Sequence, residues 1–177
     1  MRTLGSRVAA VIGRISDGLG AVAAVCMILL FLLMITEVVA RSFFAHSLAF
    51  SWEVSGYLMG AAMFLGAARA MKAGAHVRIT LLLGLLPDRA ARWLDVAATL
   101  MGVLIAVMMF RAFALLTFNA WQRGVLSATV SEIPLFIPQS AFALGMLVLS
   151  LQLACRLIAL LFPVDGSSVA PASGMSP

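Results

Sequence analysis

Gly66-Ala67-Ala68-Arg69-Ala70-Met71-Lys72-Ala73-Gly74-Ala75-His76-Val77-Arg78-Ile79 is the stretch whose reading decides the fold. An apolar run ends inside it, and the densest positive charge of the chain begins there. Bases crowded at the end of an apolar run mark where a helix leaves a bilayer on the cytoplasmic side, because Lys and Arg accumulate in the inner loops. That assignment orients every other segment.

Composition supports a bilayer. The chain has 177 residues, 63% of them hydrophobic and 11% charged, with a mean hydropathy of +1.11. Soluble domains are about 45–50% apolar and about 25% charged. Water would not solvate this surface, so an integral membrane protein is expected, of a size that fits one compact unit. The net charge of +5 does not point to nucleic acid, because the bases flank apolar spans instead of covering a soluble face. Cys26 and Cys155 both lie in apolar runs, so they read as small hydrophobes and no disulfide is expected.

Working back toward the N-terminus, residues 54–71 form a span. Gly56 and Gly60 make one small-residue spacing, and Ala62, Gly66 and Ala70 make another. Such stripes let a second helix come close. Trp52 is placed at the interface with Glu53 beside it, and a short outer loop contains His46. Residues 18–40 form the first span. Glu37 lies one turn from its outer end, and Arg41 follows at i+4 in the favoured order for a helical ion pair. In residues 1–17, Leu4, Val8, Val11, Ile12 and Ile15 recur at helical spacing, which predicts an amphipathic segment on the membrane surface. No signal cleavage site is recognised after the long first run, so the N-terminus is expected to stay uncleaved.

Working forward, 79–86 is too short to span and is expected to be interfacial, stopped by Pro87, with Asp88 capping the next helix. That helix covers 89–121, its spanning part 94–120, with Trp93 and Trp121 as anchors. Arg111 sits in the outer half at a depth like that of Glu37, and a pair between them is one of two readings. The snorkelling alternative stays open. Pro134 and Pro138 argue for an irregular outer connection before the last span at 140–162. Residues 163–177 are rich in Gly, Ser and Pro and are expected to form a disordered cytoplasmic tail. The expected fold is thus all-α: four transmembrane helices with amphipathic interfacial segments, both termini in the cytoplasm, and a membrane domain over 18–162.

Little chemistry is available to such a chain. His46 and His76 fall on opposite sides, no Cys or carboxylate cluster has metal-ligand spacing, and no phosphate-cradling loop is present. Acids near the midplane, which a pump needs, are missing, as are the repeats and broken helices of a secondary transporter. No enzyme, cofactor or metal is expected. The residues point to a small membrane subunit packed against something larger. A homo-oligomeric pore or small transporter is the alternative, and it would want a polar stripe that no span supplies.

Four short patterns then converge. They are Glu37-Val38-Val39-Ala40-Arg41, Trp52-Glu53, the opening stretch through His76-Val77-Arg78-Ile79 with Leu86-Pro87 after it, and Ile133-Pro134 to Ile137-Pro138 ahead of Gly145. In order and spacing, residues 18–160 resemble the small membrane subunit (DctQ-type) of tripartite ATP-independent periplasmic, or TRAP, transporters. Two positions depart: Trp52 abuts a single acid where the family often has two after a spacer, and Thr80 stands where the family often has an acid. The resemblance implies a fixed brace in the bacterial inner membrane. Its partners would be a large multi-span permease subunit, a periplasmic substrate-binding protein and membrane lipid. The permease would carry the sodium and substrate sites and move by an elevator-like motion. Uptake of an organic acid would follow the ion gradient without ATP hydrolysis. Candidate structural or partner-contact residues are Glu37, Arg41, Trp52, Glu53, Gly56, Gly60, Gly66, His76, Arg78 and Arg111.

Overall fold

The computed structural model describes residues 2–73, 87–129 and 131–161, and four helices account for most of them. They are α1 (Arg2–Phe44), α2 (Ser51–Lys72), α3 (Asp88–Arg123) and α4 (Phe136–Leu161). The chain runs up, down, up and down. The end with residues 45–50 and 124–135 is termed the loop end, and the opposite one the terminal end. The expected interfacial segment at 79–86, the candidates His76 and Arg78, and the tail at 163–177 lie outside the described residues.

α1 is one unbroken helix of 43 residues, about 64 Å long at 1.5 Å per residue. The expected surface segment at 1–17 and the first span therefore share one axis, since nothing between Asp17 and Gly18 interrupts the hydrogen-bond ladder. Pro87 precedes α3 in an extended conformation (ψ 145°), and its carbonyl accepts the amides of Ala90 and Ala91 at 2.8 and 3.0 Å. The cap is therefore Pro87, and the expected capping residue Asp88 falls inside the first turn. Gly124 closes α3 in the left-handed region (φ 59°), where a side chain would strain the backbone. α4 starts at Phe136, before the expected 140, and takes Pro138 into its first turn. Amides there have no intrahelical acceptor, so proline costs little.

The helices stand side by side in the order α1, α2, α4, α3, with α1 also reaching α4. Ala23, Ala61 and Leu65 form the core, with Leu19, Cys26, Ala141 and Phe142 against it. Phe64, Phe113 and Phe142 join α2, α3 and α4 through ring centroids 5.0–5.7 Å apart. The closest backbone approach is at Gly145, where a Cβ would overlap the Phe64 carbonyl and come 2.9 Å from the Leu65 amide nitrogen. Ser16, Thr36 and Thr117 each return a hydroxyl to the carbonyl four residues earlier at 2.8–2.9 Å. This satisfies the group within its own helix.

Among the described residues, three helices are long and apolar enough to cross a membrane: α1 from Ala10, α3 from Ala90, and α4. The 22-residue α2 is milder because Gly, Ala and Arg69 dilute its apolar run. Large apolar side chains on α1 and α3 stand outward, Phe31, Val38, Leu104 and Met108 among them.

Candidate functional site

Two carboxylates organise the loop end. Glu37, on the buried face of α1, accepts Arg41 Nη2 at 3.1 Å, the Ser47 hydroxyl at 2.8 Å and the Leu48 amide at 2.8 Å. Its side chain is 4% exposed, whereas that of Arg41 is 60% exposed. The carboxylate thus ties the end of α1 to the turn that starts α2, with one charged and two neutral donors offsetting its burial. The candidate partner of Glu37, Arg111, is not there. α1 and α3 do not pack together, and the Glu37 oxygens are already taken by its own helix and turn. Arg111 is exposed on α3 and bonds to no described residue.

Glu53, in the first turn of α2, receives the Tyr57 hydroxyl at 2.7 Å and a close contact from the Thr129 hydroxyl. Thr129 belongs to the α3–α4 connection, which folds back on itself through a Leu126–Pro134 bridge and a Ser127 amide to Ile133 carbonyl bond of 2.9 Å. Ser127 and Thr129 hydroxyls lie 2.7 Å apart. The hydroxyls of Ser127, Thr129 and Tyr57 hold the Glu53 carboxyl down to about 2, from an ordinary 4.5. Because the folded value is the lower, this clasp stabilises the protein above the ordinary pKa and loses that contribution as pH falls through the window. The melting-temperature gap between the protein and Glu53→Gln is therefore expected to close between about pH 4.5 and about pH 2. A gap that stays constant down to the acid end would refute the clasp.

The remaining expected residues occupy distinct surroundings. Trp52 is 77% exposed beside Glu53. Gly60 lies beneath the Phe142 ring, with a Cβ there meeting ring carbons at 2.6 and 2.8 Å, and Gly66 faces Ala23 of α1 at 3.5 Å. Gly56 has nothing within 4 Å. Gly60 thus admits α4, and Gly66 admits α1. At the terminal end, Lys72 pairs with Asp17 at 2.6 Å and Arg156 with Asp95 at 3.0 Å, each joining adjacent helices. Arg92 also donates to the Leu160 carbonyl at 3.2 Å. An open apolar groove of about 410 Å³ between α2, α3 and α4 ends at the Asp95–Arg156 pair. Exchanging those charges, Asp95→Arg with Arg156→Asp, is expected to restore most of the stability either reversal loses, a coupling of about 1 kcal/mol. A double-mutant cycle by thermal unfolding reads it.

Sequence reasoning missed Tyr57, Ser127 and Thr129. Tyr57 stands four residues after Glu53 and was findable on helical spacing. The two hydroxyls of the connection gave no local sign of where they dock. Among the described residues, no three His, Cys, Asp or Glu lie together as a metal site. Asp17, Glu37, Glu53 and Asp95 are each engaged in joining helices and turns, an arrangement suited to holding a shape.

The family model described as "Tripartite ATP-independent periplasmic transporters, DctQ component" matches residues 30–162. The chain belongs to the DctQ family. It is a small membrane component of a TRAP transporter. The DctQ match opens in mid-α1 and closes just beyond α4, so it takes in the Glu37 and Glu53 clasps and the Asp95–Arg156 pair but leaves out Asp17. Searches of curated proteins and of solved structures returned no match.

Proposed function

We propose that this DctQ-family chain is the non-catalytic subunit that braces a large multi-span permease in the bacterial inner membrane. The observation that supports it most is a contrast. Asp17, Glu37, Glu53 and Asp95 are spent on internal clasps at the two ends, while large apolar side chains of α1 and α3 face outward. Such a body has a fixed shape and a surface for lipid or protein, as a brace needs.

In this reading four helices cross the bilayer and both termini are cytoplasmic. α2 spans as well, because a helix seated between α1 and α4 needs small residues for close packing more than bulky apolar ones. The basic terminal end faces the cytoplasm, where His76 and Arg78 would meet headgroups or the permease. The loop end, with Trp52 and the 124–135 connection, offers a surface to the periplasmic substrate-binding protein. The permease carries the sodium and substrate sites and takes up an organic acid on the ion gradient. This chain needs no cofactor and binds no nucleic acid.

Co-purification in mild detergent tests the reading. A tagged chain, co-expressed with its permease and binding protein, is expected to bring down the permease one to one. A chain that instead runs alone as a defined homo-oligomer, and gives solute flux when reconstituted alone, would overturn it in favour of a pore.

A further inference from the structure

Among the described residues, α3 has its helix-to-helix backbone packing on α4 alone, and no described helix packs on its opposite face. Along that face Met101, Leu104, Met108, Arg111, Leu115 and Phe118 follow at alternating intervals of three and four. The five apolar members are 51–71% exposed, and Arg111 is exposed with them. The alternation continues to Leu94 at one end and Gln122 at the other. A period of 3.5 residues is the seam by which one helix takes another, and a single polar residue in such a seam fixes register. Leu100, Ile105, Val107 and Leu116 of the same helix are exposed and apolar as well. Arg111 and not the spacing therefore sets this face apart, and contact with lipid alone favours no charge there.

Depth makes Arg111 decisive. Trp93 and Trp121, 76% and 67% exposed, mark the ends of α3. Their separation along the helix is about 42 Å at 1.5 Å per residue, close to the ~40–45 Å of a bilayer with its headgroups. Arg111 lies about 15 Å below Trp121 on the same scale, nearer the midplane than the surface. Its Cα–Cβ bond leans toward the helix N-terminus, away from the nearer headgroups, so snorkelling works against the backbone. Ionisable groups at such depth face protein or water and are paired. No described residue of this chain pairs with it. A second copy would not either, since the seam contains no Asp or Glu.

We propose that the α3 seam docks a transmembrane helix of the permease subunit that presents a carboxylate opposite Arg111. The assignment rests on the subunit reading above and adds the surface and its chemistry. It is tested in membranes holding the full chain and its permease, with a photo-cross-linking phenylalanine placed at Met108 or at Leu115. Both positions are expected to form adducts with one permease helix. Arg111→Glu is expected to lower the co-purified permease about tenfold, as a buried charge left without its partner does. Replacing the facing acid of that helix by Arg should restore the yield. Probes that label only lipid, while the unmodified chain still brings down permease, would overturn the assignment and leave the subunit reading standing. So would an unchanged yield with Arg111→Glu. If the unmodified chain brings down no permease at all, the subunit reading falls and takes this assignment with it.

Discussion

Gly145→Ala is expected to destabilise the bundle by about 2–3 kcal/mol, the upper part of the range for overpacking. The added Cβ would overlap the Phe64 carbonyl and press on the Leu65 amide nitrogen at 2.9 Å. These are backbone atoms of α2, held in their own helical ladder, and cannot swing aside as a side chain can. Relief comes only by moving α4 off α2. That would also loosen the Phe142 ring from Gly60 and from Phe64. Without bulk water to squeeze out, membrane helices are held by such close approach, so its loss is not recovered elsewhere. Gly56→Ala is the matched control. Nothing lies within 4 Å of that position, and a change within about 0.5 kcal/mol is expected. Reversible unfolding in mixed detergent measures both.

Glu37→Ala comes next, with an expected loss of about 3 kcal/mol, at the lower end for breaking a buried charge pair. The lower end applies because Arg41 is 60% exposed and can turn to water. The Ser47 hydroxyl and Leu48 amide have lost the acceptor that closes the turn. Arg41→Ala leaves those two donors in place and is expected to cost about 1 kcal/mol or less. Hydrogen exchange separates the cases: the Leu48 amide should exchange much faster in Glu37→Ala and little faster in Arg41→Ala. Equal protection in both would show that the turn is closed by something else.

Local signals were readable and distant ones were not. The apolar runs, the break after Lys72 and the Glu37–Arg41 spacing all depend on neighbours a few residues away, which periodicity and charge expose directly. Glu37 was legible as a buried acid with Arg41, but its other donors come from the following turn, whose path no periodicity encodes. That left an acceptor seemingly free for Arg111. Glu53 illustrates the same limit: Thr129 reaches it across 76 positions of the chain. Gly145 reads in sequence as one glycine among fourteen, and only the facing Phe64 carbonyl shows which glycine the packing requires. The continuous α1 was obscured because Arg14 and Asp17 resemble the end of a surface segment, although a helix leaving the bilayer can continue without a break.

The brace role is tested most directly by uptake into proteoliposomes holding the permease and supplied with the loaded binding protein, with and without this chain. Under an imposed sodium gradient, uptake is expected only when permease and chain are both present, and none from the chain alone. Uptake undiminished in its absence, or solute flux through the chain by itself, would contradict the account.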